Sequence, residues 1–142
     1  MDYKIEINET QDEDILVIAK CSSSLLQQIE ALLQEEQPVR GYSDRAIIQI
    51  RSERTFCFYI EDNRVYAQTK DGTFYVKERL YQLEDIFANQ FVKINQSCLI
   101  NQKEIEKFEV SLGGSLSVVL TNGYRDYISR RQLKQVKERF GI

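Results

Sequence analysis

The sequence predicts a mainly β, α+β fold of antiparallel sheets, and three features point there. Short apolar segments recur from residue 45 to residue 128. Turn-forming dipeptides separate them, namely Asp62-Asn63, Asp71-Gly72, Gly113-Gly114 and Asn122-Gly123, and such pairs close tight hairpins between antiparallel strands. Apolar residues at helical spacing are confined to three stretches, around Leu25–Leu33, Leu80–Phe87 and Leu133–Phe140, so helices are the minor component.

The first 37 residues form a unit of their own. Tyr3–Ile7 alternates like a strand, Asn8–Asp14 is an acidic turn, and Ile15–Ala19 reads as a second strand. Ser22–Ser24 offers an N-cap for a helix with Leu25, Leu26, Ile29, Leu32 and Leu33 on one face, stopped at Gln37-Pro38. A β-β-α extension of this size is small for independent stability. Its leucine stripe is expected to meet the rest of the chain, a second copy or another partner. The domain boundaries expected are therefore 1–37 and 40–142.

The second part is mostly strand. Ala46–Ile50, Thr55–Ile60, Arg64–Thr69 and Thr73–Val76 alternate or run apolar between turn signals. Arg79–Ala88 is a short helix carrying Leu80, Leu83, Ile86 and Phe87. Phe91–Asn101 follows, with an alternating start, the polar group Asn95-Gln96-Ser97, and the apolar run Cys98–Ile100. Glu104–Leu112, Ser115–Leu120 and Arg125–Ile128 are the last strands, and Ser129 is placed to cap a final helix with Leu133, Val136 and Phe140 inward.

Charge is unevenly distributed over these parts. Residues 1–39 hold nine acidic residues against Lys4 and Lys20, whereas 40–142 hold 17 basic and 13 acidic ones. A net charge of −3 thus conceals a basic second part, a feature of nucleic-acid-binding surfaces. No apolar stretch nears 18 residues and Met1–Asn8 is polar, so neither a membrane span nor a signal peptide is expected. Cys21, Cys57 and Cys98 are widely spaced and the chain has no histidine. They read as small buried hydrophobes of a cytoplasmic protein, without metal, cofactor or small-molecule substrate. Glu61-Asp62 and Glu84-Asp85 fall on solvated positions, and no phosphate-binding glycine loop is present. Enzymatic function is not expected.

Between two apolar flanks, Asn95, Gln96 and Ser97 make a short rigid polar segment, and Asn and Gln match the paired donor and acceptor of adenine. Phe58-Tyr59-Ile60-Glu61, Asp71-Gly72, Leu80 with Leu83-Glu84, Phe91–Ser97, Ile100-Asn101 with Lys103 and Ile105, Thr121-Asn122-Gly123 and Ile128–Arg131 follow in that order. This ordered set resembles the LytTR family of bacterial DNA-binding domains over roughly Ala46–Phe140. The resemblance implies about ten strands in elongated, stacked antiparallel sheets. It also implies loops entering successive major grooves of double-stranded DNA at paired repeats upstream of genes. Those loops map to Arg64, to Asn95-Gln96 and to Ser129-Arg130-Arg131. Asn95 and Gln96 stand where many members carry histidine, arginine or asparagine.

On this reading Arg131 bonds guanine O6 and N7, and Gln96 and Asn95 read bases. Lys93 and Lys134 meet phosphates, which fix position without specifying sequence. Arg130 and Arg131 open a helix whose free N–H groups favour anions. The length before residue 40 cannot hold a receiver domain, so the layout resembles stand-alone regulators, which implies a small membrane-protein partner; the apolar face of the helix in residues 1–37 is expected to mediate self-association, giving a homodimer at least on DNA, or partner binding. The competing reading is a protein-interaction module acting through the acidic β-β-α unit without binding DNA.

Overall fold

The computed structural model describes residues 2–13, 15–20, 23–33 and 38–142. The chain divides into two units, Met1–Gln37 and Pro38–Ile142. In the first, the expected helix forms as α1 (Ser24–Leu33), and the Ser23 hydroxyl caps it by accepting from the Leu26 N–H at 3.3 Å. The expected acidic turn is present, with Asn8 Oδ1 accepting from the Thr10 N–H and hydroxyl. The two expected strands are corrected: Tyr3–Ile7 and Ile15–Ala19 carry no strand ladder among the described residues. Tyr3–Ile7 does alternate and Ile15–Ala19 is an apolar run, but Tyr3, Ile5, Ile7, Ile15 and Ile18 all remain exposed. Pattern alone does not make a strand where neither ladder bonds nor burial offset backbone ordering. Cys21, the helix stop near Gln37 and the side chains of Leu32 and Leu33 lie outside the described residues.

The second unit is antiparallel throughout. Its strands are β1 (Arg40–Tyr42), β2 (Ile47–Gln49), β3 (Thr55–Glu61), β4 (Arg64–Thr69), β5 (Gly72–Val76), β6 (Phe91–Asn95), β7 (Cys98–Asn101), β8 (Ile105–Val110), β9 (Leu116–Leu120) and β10 (Arg125–Tyr127). Two helices complete it, α2 (Leu80–Ile86) and α3 (Arg130–Phe140). A seven-stranded sheet has the order β2-β1-β5-β4-β3-β7-β6, and a three-stranded sheet the order β10-β9-β8. The sequence pattern does not predict β1.

The hairpins follow the turn chemistry. Asp62 and Asn63 both have positive φ, 51° and 62°, the backbone that a two-residue turn matching strand twist requires. Gly72 and Gly123 also take positive φ at their turns. Gly141 ends α3 at φ 66°, ψ 34°, the left-handed cap that glycine adopts without steric cost.

Two cores lie on opposite faces of the large sheet. Phe58, Ala67, Phe74, Val76, Phe91 and Leu99 face one core with Leu80 and Leu83 of α2. Cys57, Val92, Ile94, Cys98 and Ile100 face the other, closed by Leu116, Val118 and Leu120 of the small sheet and Val136 of α3. β7 is therefore covered on both faces, which is why Cys98-Leu99-Ile100 is a continuous apolar run and not an alternating one.

Gly41 sits where the first core closes. A Cβ there would lie 2.7 Å from Ile50 Cδ1 and 2.8 Å from Phe74 Cβ. Gly41→Ala should therefore destabilise the fold by about 1–3 kcal/mol through overpacking, read as a lowered urea midpoint at unchanged slope. Burial pushes the Cys57 thiol from 9.0 up to about 12, aided by the charge of Asp126, and Cys98 is pushed up too, chiefly by burial. Unfolded thiols ionise near their ordinary value while folded ones keep their protons. The stability these thiols contribute is thus whole below about pH 9 and falls as pH rises toward about 12. Thermal melts should be flat with respect to this effect up to about pH 8.5 and decline above it. A maleimide at about pH 8 should spare both residues until the chain is unfolded.

Candidate nucleic-acid interface

The β6–β7 hairpin turns at Gln96-Ser97, and its geometry separates residues that look equivalent in sequence. Asn95 is 1% exposed. Its Nδ2 donates to the Tyr127 carbonyl at 2.9 Å and to Asp126 Oδ1 at 3.2 Å, while its Oδ1 accepts from the Ser97 N–H at 2.8 Å. The expectation that Asn95 reads a base is corrected: the carboxamide is buried and bonded within the fold on both sides. Gln96, one residue on, is exposed. The cause is an irregularity in pairing between Lys93 and Asn95, where Lys93 faces Leu99 and Asn95 faces Cys98. Such a shift re-aims the side chains that follow it.

The same bonds bring α3 to the hairpin. The Ser129 N–H donates to the Ile94 carbonyl at 2.9 Å, and the Ile128 N–H donates to the Leu116 carbonyl at 2.9 Å. Ser129 stands at the N-cap position as expected, but its hydroxyl makes no capping bond there. Asp126 completes the junction, accepting from the Tyr127 N–H at 2.8 Å and from the Tyr124 hydroxyl at 3.0 Å. Burial raises the Tyr124 phenol well above its ordinary value, so it remains a donor. Sequence reasoning missed Asp126 and Tyr127 as positioning groups. Their signal, an acid flanked by tyrosines before the final helix, has no meaning until the register of β10 is known.

The remaining candidates fall around this junction. Arg130, Arg131 and Lys134 are exposed at the start of α3, and Ser129 is half-buried. Arg64 opens β4 at the β3–β4 turn, with its guanidinium 5.6 Å from the Tyr75 ring centre. Ile60 of β3 donates its N–H to the Ser97 carbonyl at 2.9 Å, and Glu61 pairs with Arg64. The β3–β4 turn, the β6–β7 turn and the start of α3 therefore lie at one end of the sheet. Lys93 is set apart. It alternates with Val92 and Ile94, which face α3, so it shares the opposite face with Phe91 and is half-buried. The structure brings together Arg64, Gln96, Ser129, Arg130 and Arg131 at that end, with Lys134 one turn along α3 and Lys93 on the far face.

No group of three or more potential metal ligands occurs among the described residues, and none of their helices is long and apolar enough to cross a membrane. Exposed arginines around a rigid polar turn, on a β scaffold, are the features of a DNA-binding protein. Residues 45–141 match the family model described as LytTr DNA-binding domain. A Staphylococcus aureus (strain NCTC 8325 / PS 47) protein named as an uncharacterized HTH-type transcriptional regulator is 31% identical over 140 residues, spanning 97% of this chain and 95% of that protein. Its counterpart in strain MSSA476 is 33% identical over 110 residues, 78% of this chain and 75% of the relative. A solved LytTr DNA-binding domain from Bacillus cereus superposes with a TM-score of 0.69 at 16% identity, covering 75% of this chain and 99% of the other. The chain belongs to the LytTr DNA-binding domain family, and it is a DNA-binding transcriptional regulator. Despite the relatives' HTH label, α2 and α3 here are separated by five strands.

Gln96 and Asn95 provide a direct contrast. Asn95→Ala leaves the Ser97 N–H and the Tyr127 carbonyl without their partner, and should cost about 1–3 kcal/mol of stability in urea unfolding. Gln96→Ala should change stability by no more than about 0.5 kcal/mol. It should nevertheless weaken binding to a site selected from random duplexes far more than binding to random DNA.

Proposed function

We propose that this chain regulates transcription by reading duplex DNA with one end of its large sheet, inserting Gln96 and Arg131 into the major groove at repeat sites upstream of genes. The observation that carries this reading is the junction at Asn95, which sets an exposed glutamine beside the arginine-bearing start of a helix. Arg131 has the fork that bonds guanine O6 and N7, and Gln96 can pair with adenine N6 and N7. Arg130, at the helix start with its uncommitted N–H groups, favours backbone phosphate, as do Lys134 and, from the far face, Lys93. Arg64 approaches from the β3–β4 turn. Asn95 and Ser129 act behind these groups as positioning residues, and no catalytic step belongs to this reading.

Repeat sites suit a pair of copies, and a homodimer on DNA is part of the proposal. The exposed Tyr3, Ile5, Ile7 and Ile18 of the first unit support a contact there, because apolar side chains exposed together mark association surfaces. A two-fold arrangement is the commonest form. A small membrane-protein regulator would compete for the same surface, in a protein that works in the cytoplasm. The interaction-module reading without DNA is not favoured, since the matched family is defined by DNA binding.

Arg131→Ala should keep the fold and weaken the selected site by about 1–3 kcal/mol, with specificity relaxed at one base pair. Wild-type affinity and specificity in a folded variant would remove Arg131 from the interface.

A further inference from the structure

The large sheet carries a second basic element, made by register. Tyr42 pairs with Tyr75 across β1 and β5, Tyr75 with Tyr66 across β5 and β4, and Tyr66 with Tyr59 across β4 and β3. Their rings form a row, with centres 6.4, 6.4 and 5.8 Å apart in that order, and Tyr124 of the small sheet extends it at 5.8 Å from Tyr59. These tyrosines lie on the sheet face away from α2, because Ala67, Phe74 and Val76 alternate with them into the α2 core.

Two residues nearer the loop end, the same register makes a row of charge. Gly41 and Val76 are partners, as are Val76 and Val65. One step further come Arg40, the first residue of β1, Lys77, the bend residue that follows β5, and Arg64, the first residue of β4, so the three cations lie at the same edge of three neighbouring strands. All three are exposed and share the tyrosine face. The Lys77 ammonium lies 4.8 Å from the Tyr42 ring centre, and Arg64 lies over Tyr75, so ring faces hold both cations in place. Glu61, opposite Arg64, is the acid that closes the row toward Gln96. Among the described residues none of the three cations makes an ion pair.

Like charges directly opposite on neighbouring strands repel. An anion resting on the row relieves that repulsion. We infer that Arg40, Lys77 and Arg64 form a phosphate track that carries the DNA backbone outward from the base-reading turn, on the sheet face shared with α3. This rests on the DNA reading proposed above and adds Arg40 and Lys77 to it. The ligand is the polyanionic backbone: Lys77 presents a point charge, and the row lies on β1, β5 and β4, strands set outward of the β6–β7 turn, so it meets phosphates, which position the duplex without specifying sequence.

The test uses the full chain, a duplex selected for tight binding and a random duplex, from about 50 to 200 mM salt. Removing one phosphate-binding cation should reduce the salt slope by about 0.9. Lys77→Gln should lower it by that amount, and Lys103→Gln, a charge change at the opposite end of β7, should leave it unchanged. Raising the salt across this range should cost the triple variant Arg40→Gln, Lys77→Gln, Arg64→Gln roughly 40-fold less affinity than it costs wild type. The triple change should weaken both duplexes alike, with the ratio between them kept. Circular dichroism and urea midpoints identify any misfolded variant, in which case the single Lys77→Gln change decides. An unchanged slope in folded variants overturns the track while leaving the DNA reading intact. A shift in the mass of the protein at unchanged slope overturns it in favour of a protein contact. Failure of wild type to bind any duplex overturns both readings.

Discussion

The loop end of the large sheet hangs on one buried carboxamide. Asn95 closes the β6–β7 turn through Ser97 and ties that turn to β10 through Tyr127 and Asp126. The Ser129–Ile94 bond then fixes the start of α3 beside it. A buried amide that satisfies its donors and its acceptor costs little to keep and much to break. Without it, the Ser129–Ile94 bond would be the remaining backbone tie between the turn that carries Gln96 and the helix start that carries Arg131. The opposite end of β7 repeats the device. Asn101, also 1% exposed, donates to the Ser52 and Thr55 carbonyls and accepts from the Lys103 N–H. The central hairpin is thus pinned at both ends by an asparagine.

The tyrosine row answers a different constraint. The large sheet is covered on both faces only near β3, β7 and β6, where the small sheet and α3 close the second core. Further out, β4, β5 and β1 keep one core face and present the other to solvent. Half-buried tyrosines suit that boundary, since each ring packs against the next while its hydroxyl stays wet. They also give long basic side chains an apolar surface to lie on, which shortens the reach that must be ordered when an anion binds.

Much of the fold was legible because turn chemistry is local. Asp62-Asn63, Asp71-Gly72 and Asn122-Gly123 announce their hairpins, and the strands between them fall within a residue or two of the expected bounds. β1 escaped notice because three residues, Arg40-Gly41-Tyr42, are too few to show a period. The first unit misled in the opposite sense, since the alternating Tyr3–Ile7 and the apolar run Ile15–Ala19 form no ladder. Within the site, Asn95 and Gln96 were indistinguishable in sequence, and an irregularity in the pairing of β6 decides which is buried. The charge row did leave a trace: Arg40-x-Tyr42, Arg64-x-Tyr66 and Tyr75-x-Lys77 repeat one spacing, reversed in the third because β5 runs antiparallel to both neighbours. That repeat acquires meaning only when register sets the three segments side by side.

The chemistry of this end also fixes how its binding responds to conditions. Arginine, lysine and glutamine do not titrate near neutrality, and the chain contains no histidine. The two buried thiols keep their protons well above neutral pH. The positive field of the sheet end is therefore constant across physiological pH. Salt is the variable that acts on such a field, through every phosphate contact it makes. On the proposed reading, affinity and specificity would be carried by different residues on one edge, the rows of charge setting how tightly the duplex is held and the Asn95 junction setting which sequence is preferred.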